Sequence, residues 1–233
     1  MSLQVRAWET LGGGDHGWLK ARHHFAIDEQ GNPAHTRLGS LLIWNDDEIA
    51  PHRGFPLHAH RDMEIVTYVR EGVLHHQDNS GGRGEIRAGS VQAFSAGRGI
   101  RHSEYNGGDA PLRLFQIWLT PRRRGIEPRW ASKPFPNAQR AGRLLPLASG
   151  FPEDLDALPI DTDARVLGAT LKAQERIAYS FGVRRFGYLV PARGSVLVNG
   201  QPVGERDGLA ITRELEIEIT ALEAAEILLV DAA

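Results

Sequence analysis

Residues 54–72 of the chain read GFPLHAHRDMEIVTYVREG, and residues 87–106 read RAGSVQAFSAGRGIRHSEYN. Side chains at positions i and i+2 leave the same face of a strand, whereas on a helix they diverge. Two strand segments that each present a pair of donors to one interior point predict a metal site of three imidazoles and one carboxylate. The donors are His58 and His60 in the first stretch and His102 and Glu104 in the second.

Short β-type runs separated by glycine and asparagine turns recur along the whole chain. A long amphipathic helical period is absent from the sequence, which predicts an all-β protein. The runs that carry this prediction are residues 37–49, 63–72, 85–97, 111–120, 186–200, 214–220 and 224–233.

A proline- and arginine-rich segment, residues 121–142, lacks periodicity and is typical of a connector. We therefore predict a first domain at residues 1–130, followed by the connector and a second domain at residues 131–233. All ten histidines lie in the first 102 residues, so metal binding is predicted for the first domain alone.

A weak internal repeat supports two copies of one β-unit. Gly72 and Gly89 in the first half have counterparts at Gly194 and Gly208 in the second. Ligand offsets counted from these glycines predict that the second copy has no metal donors, because they fall on Ser180, Gly182 and Ala221.

Composition restricts the classes of partner. The 233 residues carry 27 basic and 29 acidic side chains and a formal charge of −2, so no overall basic field favours nucleic acid or an anionic membrane surface. A secretory leader and an apolar run of about 18 residues are not evident, and we expect a cytoplasmic protein. Since the chain has no cysteine, any metal must be held by nitrogen and oxygen.

A family resemblance follows from the two stretches quoted above, together with HHQDNSG at 75–81 and LFQIWLTPRRRGIEPRW at 114–130. They strongly resemble the shorter bacterial members of the pirin family, in the cupin superfamily. The resemblance implies an all-β bicupin, in which two jelly-roll β-barrel domains pack together and the N-terminal barrel binds one metal ion. The ligands of the family fall on His58, His60, His102 and Glu104.

The identity of the carboxylate ligand is open on spacing alone. Many cupins use a carboxylate four residues after the His-x-His pair, which here is Glu64. The pirin resemblance instead assigns Glu104 as the ligand and catalytic group, with Glu64 supporting the site or held in reserve. His76 matches a family position and either hydrogen-bonds a ligand or is an ordinary barrel histidine.

The activity implied by the resemblance is that of a quercetin 2,3-dioxygenase, which opens a flavonol ring with dioxygen and releases carbon monoxide. A divalent ion with three neutral imidazoles and one carboxylate keeps a net positive charge, which suits an anionic aromatic or enolic substrate. Fe(II) is the expected ion, although nickel, manganese, copper and zinc accept the same donors. Apolar side chains that could sandwich a flat substrate are Phe55, Met63, Phe94 and Tyr105.

Two other functions are compatible with the sequence. The chain could be a non-catalytic metal- or redox-sensing regulator that acts through a protein partner, or it could open a different enolic or catecholic ring. For the second domain, alternation in residues 214–220 predicts one buried face with Leu215, Ile217 and Ile219. The predicted interior of that domain contains Leu197, Ile217, Ile219, Leu228 and Val230.

Overall fold

The computed structural model describes residues 2–27 and 31–233. Strands dominate it, with short 3-10 helices at Trp8–Thr10 and Asn137–Gln139, so the all-β prediction is confirmed. Within these described ranges, no helix is long and apolar enough to cross a membrane. The strands are β1 (Leu3–Arg6), β2 (Gly12–Asp15), β3 (Leu19–His23), β4 (Leu41–Ile49), β5 (Arg53–His60), β6 (Glu64–Glu71), β7 (Val73–Asp78), β8 (Arg83–Arg87), β9 (Ser90–Ser95), β10 (Ile100–Asn106), β11 (Leu112–Leu119), β12 (Arg129–Pro134), β13 (Leu145–Ser149), β14 (Leu158–Pro159), β15 (Ala164–Leu171), β16 (Arg176–Ser180), β17 (Phe186–Arg193), β18 (Val196–Val198), β19 (Gln201–Val203), β20 (Gly208–Thr212), β21 (Glu216–Ala221) and β22 (Ala225–Ala232).

The strands form two sandwiches, each made of a seven-stranded and a four-stranded sheet. In the first sandwich, the large sheet has the order β12-β9-β6-β11-β4-β3-β2 and the small sheet the order β5-β10-β7-β8. In the second, the orders are β1-β20-β17-β22-β15-β13-β14 and β16-β21-β18-β19. Both halves are therefore jelly rolls of the predicted kind, built as open sandwiches rather than as continuously hydrogen-bonded barrels.

Two strands extend the sandwiches beyond the simple division of the sequence. Strand β1 pairs with β20 of the second sandwich, where Leu3 lies opposite Ile211. Strand β12 lies in the predicted connector and pairs with β9 of the first sandwich. The boundary at residue 130 stays a prediction, and β12 runs across it.

The two large sheets pack against each other and bury the interface between the sandwiches. Trp44, Tyr68 and Phe115 from the first large sheet share one apolar core with Tyr188 and Leu228 from the second. Side chains alternate along a strand, so the opposite faces of both large sheets point into their own sandwiches.

Most of the predicted interior of the second domain is buried, with two exceptions. Ile217 and Ile219 are fully buried within the second sandwich, while Leu228 and Val230 are buried in the core between the sandwiches. The prediction for Leu197 is wrong by one position, because its neighbours on β18, Val196 and Val198, take the buried face. The prediction for Leu215 is also wrong: it is 65% exposed, because it precedes the first residue of β21.

Candidate metal centre

The paired donors predicted from the sequence lie on neighbouring strands of the small sheet in the first sandwich. Strands β5 and β10 are antiparallel, with His58 opposite His102 and His60 opposite Ile100. The ring centroids of His58 and His102 are 4.4 Å apart, those of His58 and His60 4.8 Å, and those of His60 and His102 5.0 Å. One ring nitrogen of each histidine lies within 4.8 Å of the others, which is a spacing that could hold a metal ion.

Glu104 joins this group through the next strand. It lies opposite His76 on β7, and donor atoms of His76, His102 and Glu104 also lie within 4.8 Å of one another. Since His102 belongs to both groups, the five side chains are contiguous. We call them the His–Glu cluster, and its members are His58, His60, His76, His102 and Glu104.

Hydrogen bonding leaves ring nitrogens of the cluster available. His58 Nδ1 lies 2.8 Å from the carbonyl oxygen of Pro56, and since a carbonyl only accepts, Nδ1 carries the proton and Nε2 keeps its lone pair. His102 is 1% exposed, and within the described ranges neither of its ring nitrogens has a hydrogen-bond partner. Leaving a buried polar atom unpaired costs about 1–3 kcal/mol, which a bound cation would offset.

The protonation states of the cluster suit a cation. Burial, with a smaller contribution from the neighbouring His58, lowers the pKa of His60 to about 4. Burial and the neighbouring histidines lower the pKa of His102 to about 2. Both rings are therefore neutral at pH 7 and offer lone pairs rather than protons. Burial raises the pKa of Glu104 to about 7, against the lowering effect of its hydrogen bonds.

Two tryptophan–glutamine pairs hold the carboxylate of Glu104. Gln116 Nε2 donates to Oε2 at 2.8 Å, and Gln92 Nε2 donates to Oε1. Trp118 Nε1 donates to the side-chain oxygen of Gln116 at 2.9 Å, and Trp130 Nε1 donates to that of Gln92 at 3.0 Å. An indole N–H can only donate, so it fixes each amide with its oxygen towards the tryptophan and its NH₂ towards Glu104.

These two pairs were missed by the sequence reasoning, although a signal was present. Gln92 and Gln116 are the single amides of β9 and β11, two strands in which most residues are apolar, and both are buried. A buried polar residue needs hydrogen-bond partners, so a lone amide in an apolar strand indicates a polar neighbour across the sandwich.

His76 lies beside the predicted ligands. Its Nε2 donates to Asp78 at 3.1 Å, and its ring stacks on Trp130 with centroids 4.8 Å apart. Asp78 is itself held by the backbone N–H groups of Ser80 and Gly82. His76 Nδ1 is buried and has no partner among the described residues, so only one of the two ring nitrogens is hydrogen-bonded.

Glu64 is not brought to the cluster. Its carboxylate accepts hydrogen bonds from Ser95 Oγ at 2.6 Å and from the backbone N–H of Asp161, in the second half of the chain, at 3.0 Å. The parity expected from His60 is lost because the chain turns between β5 and β6, where Asp62 has a φ of 49°. Glu64 therefore faces the interface between the sandwiches, which does not support its role as a reserve ligand.

Three of the four predicted apolar contacts lie near the cluster. The ring of Phe94 is 4.6 Å from His102, that of Phe55 is 6.2 Å from His58, and Met63 packs against the apolar group around Phe94. Tyr105 was the fourth candidate, and alternation along β10 turns it away from the face that carries His102 and Glu104. It is 42% exposed and lines a depression of about 770 Å³ on the outer face of the small sheet.

Two jelly-roll sandwiches, one of which encloses a histidine–carboxylate cluster, define the bicupin class. Residues 4–119 match the family model described as Pirin, and residues 147–232 match the model described as Quercetinase C-terminal cupin domain. A pirin-like protein of Caulobacter vibrioides is 57% identical over 231 residues, covering 99% of this chain and 100% of the relative. The quercetin 2,3-dioxygenase of Escherichia coli K12 is 37% identical, covering 98% of both chains.

A solved structure is similar along nearly the whole chain. The bacterial pirin YhhW from Escherichia coli in complex with nickel(II) matches with a TM-score of 0.91 and 35% identity, covering 99% of this chain and 98% of that one. The chain belongs to the pirin family, and the predicted bicupin fold is confirmed. Together, the nickel-bound relative and the His–Glu cluster support a divalent-metal site.

Proposed function

We propose that the protein is a metal-dependent dioxygenase that opens a flavonol-like ring, with one divalent ion held by His58, His60, His102 and Glu104. The observation that carries this proposal is His102, whose two ring nitrogens are buried without partners between the other donors. The quercetin 2,3-dioxygenase named among the relatives supports the choice of substrate class.

The donor set fits a transition metal. Three neutral imidazoles and one carboxylate suit Fe(II), which we propose as the native ion, and they also suit nickel, manganese, copper or zinc. When bound, a divalent ion would lower the pKa of a substrate hydroxyl and leave positions open for substrate and dioxygen. His58 and His60 are half-buried, so the cluster is open on their side.

Residues in and around the cluster would accept a proton and exclude water. Glu104 is the carboxylate placed to accept the proton of the substrate hydroxyl, and Gln92 and Gln116 hold it in position. Phe55 and Phe94 give the surroundings an apolar character that excludes water and suits a flat ring.

Oxygen uptake with quercetin tests the proposal. Protein purified without oxygen and loaded with Fe(II) is expected to consume dioxygen and release carbon monoxide, and His60→Ala is expected to lose both along with its metal. His52→Ala is the matched control, because His52 is an exposed histidine paired with Asp109 far from the cluster, and it should behave as wild type. Elemental analysis of each protein shows whether lost activity accompanies lost metal.

The contrary results are equally specific. Full metal content and full activity in His60→Ala would remove the ligand assignment. Metal-loaded wild type that consumes no dioxygen with any flavonol, but binds a protein partner only when metal is present, would favour the regulator instead.

A further inference from the structure

A cavity of about 370 Å³ lies inside the first sandwich and adjoins the His–Glu cluster. Phe55 and Trp118 belong to both, since they line the cavity and their rings lie 6.2 Å from His58 and 4.9 Å from His60 respectively. Small-molecule sites in proteins commonly have volumes of about 300–1,000 Å³. The cavity is therefore large enough for a ligand whose reacting edge is at the cluster.

Asp47 lies on the wall of this cavity and has no side-chain partner among residues 2–27 and 31–233. It is 2% exposed, its Oδ1 is buried without a hydrogen bond, and it forms no ion pair within the part of the chain that the structure describes. Burial, followed by the nearby charges of Asp46 and Glu104, raises the pKa of Asp47 to about 8. A buried carboxyl of this kind is costly unless something hydrogen-bonds it.

Its neighbour on the strand shows how different the two environments are. Asp46 is also buried, but it faces the interface between the sandwiches, where Arg70, Arg206 and Trp8 donate to its carboxylate. Two consecutive aspartates on β4 therefore point to opposite faces, one fully paired and one unpaired. Since structural pairing accounts for Asp46 alone, Asp47 needs another explanation.

Two more polar atoms on the same wall lack partners. Asn45 Oδ1 and His23 Nδ1 are buried and form no hydrogen bond with the described part of the chain, and both residues line the cavity. They lie opposite each other across β3 and β4, and Asp47 lies one position further along that face. The remaining wall is largely apolar, with Leu19, Ile43, Phe55 and Trp118.

A flat apolar body that carries several hydroxyl groups would satisfy this wall. Each of the three unpartnered groups can accept a hydrogen bond from a hydroxyl, and the apolar side chains can contact the faces of the ring. A ligand without those hydroxyls would leave the polar atoms unpaired, which is how a buried polar site discriminates between related molecules.

We propose that Asp47 is a specificity-determining residue that hydrogen-bonds a hydroxyl of a flat, polyhydroxylated substrate, with Asn45 and His23 binding further hydroxyls. That the reacting end of the substrate lies at the cluster rests on the proposed dioxygenase function. That these three residues bind hydroxyls in the cavity does not rest on it, because none of them belongs to the cluster.

The test measures the affinities of two flavonols for metal-free and metal-loaded protein, with tryptophan fluorescence as the signal of binding. Quercetin has several hydroxyls, whereas 3-hydroxyflavone keeps only one. Wild type is expected to bind quercetin about tenfold more tightly, and Asp47→Leu is expected to lose most of that preference while binding 3-hydroxyflavone normally. Asp47→Asn keeps an acceptor oxygen and should retain most of the preference.

Glu48→Gln is the matched control, because Glu48 is the next residue on β4 and pairs with Lys20 and Arg113 on the other face. It should keep the full preference. An unchanged preference in Asp47→Leu, or an equal loss of both ligands, would overturn the proposal. Failure of the dioxygenase function gives a different result: the binding preference persists in metal-free protein while no flavonol supports oxygen uptake.

Discussion

The two sandwiches share one central topology but have different interiors. Both place a four-stranded sheet over a seven-stranded sheet, and the strand orders correspond except at the edges, where β1 takes the place of β12 and β13–β14 is parallel whereas β2–β3 is antiparallel. In the first, the inner face of the small sheet carries the His–Glu cluster. In the second, the matching strands β16, β18 and β21 carry Ile177, Tyr179, Val196, Val198, Ile217, Ile219 and Ala221.

The apolar packing also differs between the two sandwiches. The second sandwich has one continuous apolar cluster between its sheets. In the first, two smaller clusters lie on either side of the donors, one around Ile49 and Leu114 and one around Phe94 and Ile100. The fold therefore tolerates a polar interior in one copy because the other copy and the interface between them supply continuous apolar burial.

The largest effect should come from placing a charge in the second interior. Ile219→Asp is expected to lower the free energy of unfolding by about 3–5 kcal/mol, because the carboxylate would be buried without a partner. Urea denaturation measures the change, and Ile219→Val is the control at about 0.5–1.5 kcal/mol. A cost for Ile219→Asp no greater than that of the control would mean that the second sandwich is not the close-packed half.

Substitutions of Glu104 and Glu64 test which glutamate binds the metal. Glu104→Gln should weaken metal binding by about 100-fold or more, because it removes the anionic ligand and turns an NH₂ towards Gln92 or Gln116. Glu64→Gln should have little effect, since Oε1 of Glu64 has no partner and Oε2 can remain the acceptor for Ser95 and Asp161. Competition with a chelator gives both affinities. The opposite order would move the ligand to Glu64.

How far the sequence predicts the site is clear from these residues. Strand alternation was sufficient to predict that His58, His60, His102 and Glu104 lie together, because each pair lies within one strand; their role as ligands stays a prediction. It failed for Glu64, because a turn separates it from His60 and the parity does not carry across. Asp47 could not be predicted from its neighbours, since Asp46 beside it has the same chemistry and only the orientation of β4 distinguishes them.

The fold itself follows the sequence in the same way. The β-runs and their turns predicted an all-β protein, because strand patterns depend on neighbouring residues, and the resemblance to the pirin family added the two jelly rolls. Strand β1 could not be placed, since its pairing with β20 joins residues about two hundred positions apart. Leu197 and Leu215 show the same limit on a small scale, because a shift of one residue exposes the face that carries Leu197 and the late start of β21 exposes Leu215.

A pH dependence should distinguish the two interiors in metal-free protein. The raised pKa values of Glu104, about 7, and Asp47, about 8, mean that the folded state holds protons that the unfolded state has already lost. Stability should therefore fall as the pH rises from 7.5 to 9, above the titration range of unfolded histidines, by an amount on the order of 1 kcal/mol. His60 and His102, with lowered pKa values, are largely neutral in both states over this range.

Urea denaturation at several pH values measures this slope. Asp47→Asn combined with Glu104→Gln should flatten it, because neither amide titrates. If the dependence of stability on pH is unchanged in the double variant, it arises from groups outside the interior of the first sandwich.

The smallest effect concerns the groups behind the carboxylate. Trp130→Phe keeps an aromatic ring beside His76 but removes the Nε1–H that orients Gln92, and should weaken metal binding by about tenfold. Trp8→Phe is the matched control, because it removes an indole donor that binds Asp46 at the interface between the sandwiches. Equal affinities in the two variants would show that the tryptophan does not act through Gln92.

The position of the metal in a crystal is the clearest test of the proposed ligand set. Anomalous scattering from metal-loaded crystals should show one peak per chain, about 2.0–2.2 Å from donor atoms of His58, His60, His102 and Glu104, and none in the second sandwich. A peak between His76 and Asp78, or a peak among the apolar side chains that replace the cluster in the second sandwich, would contradict it.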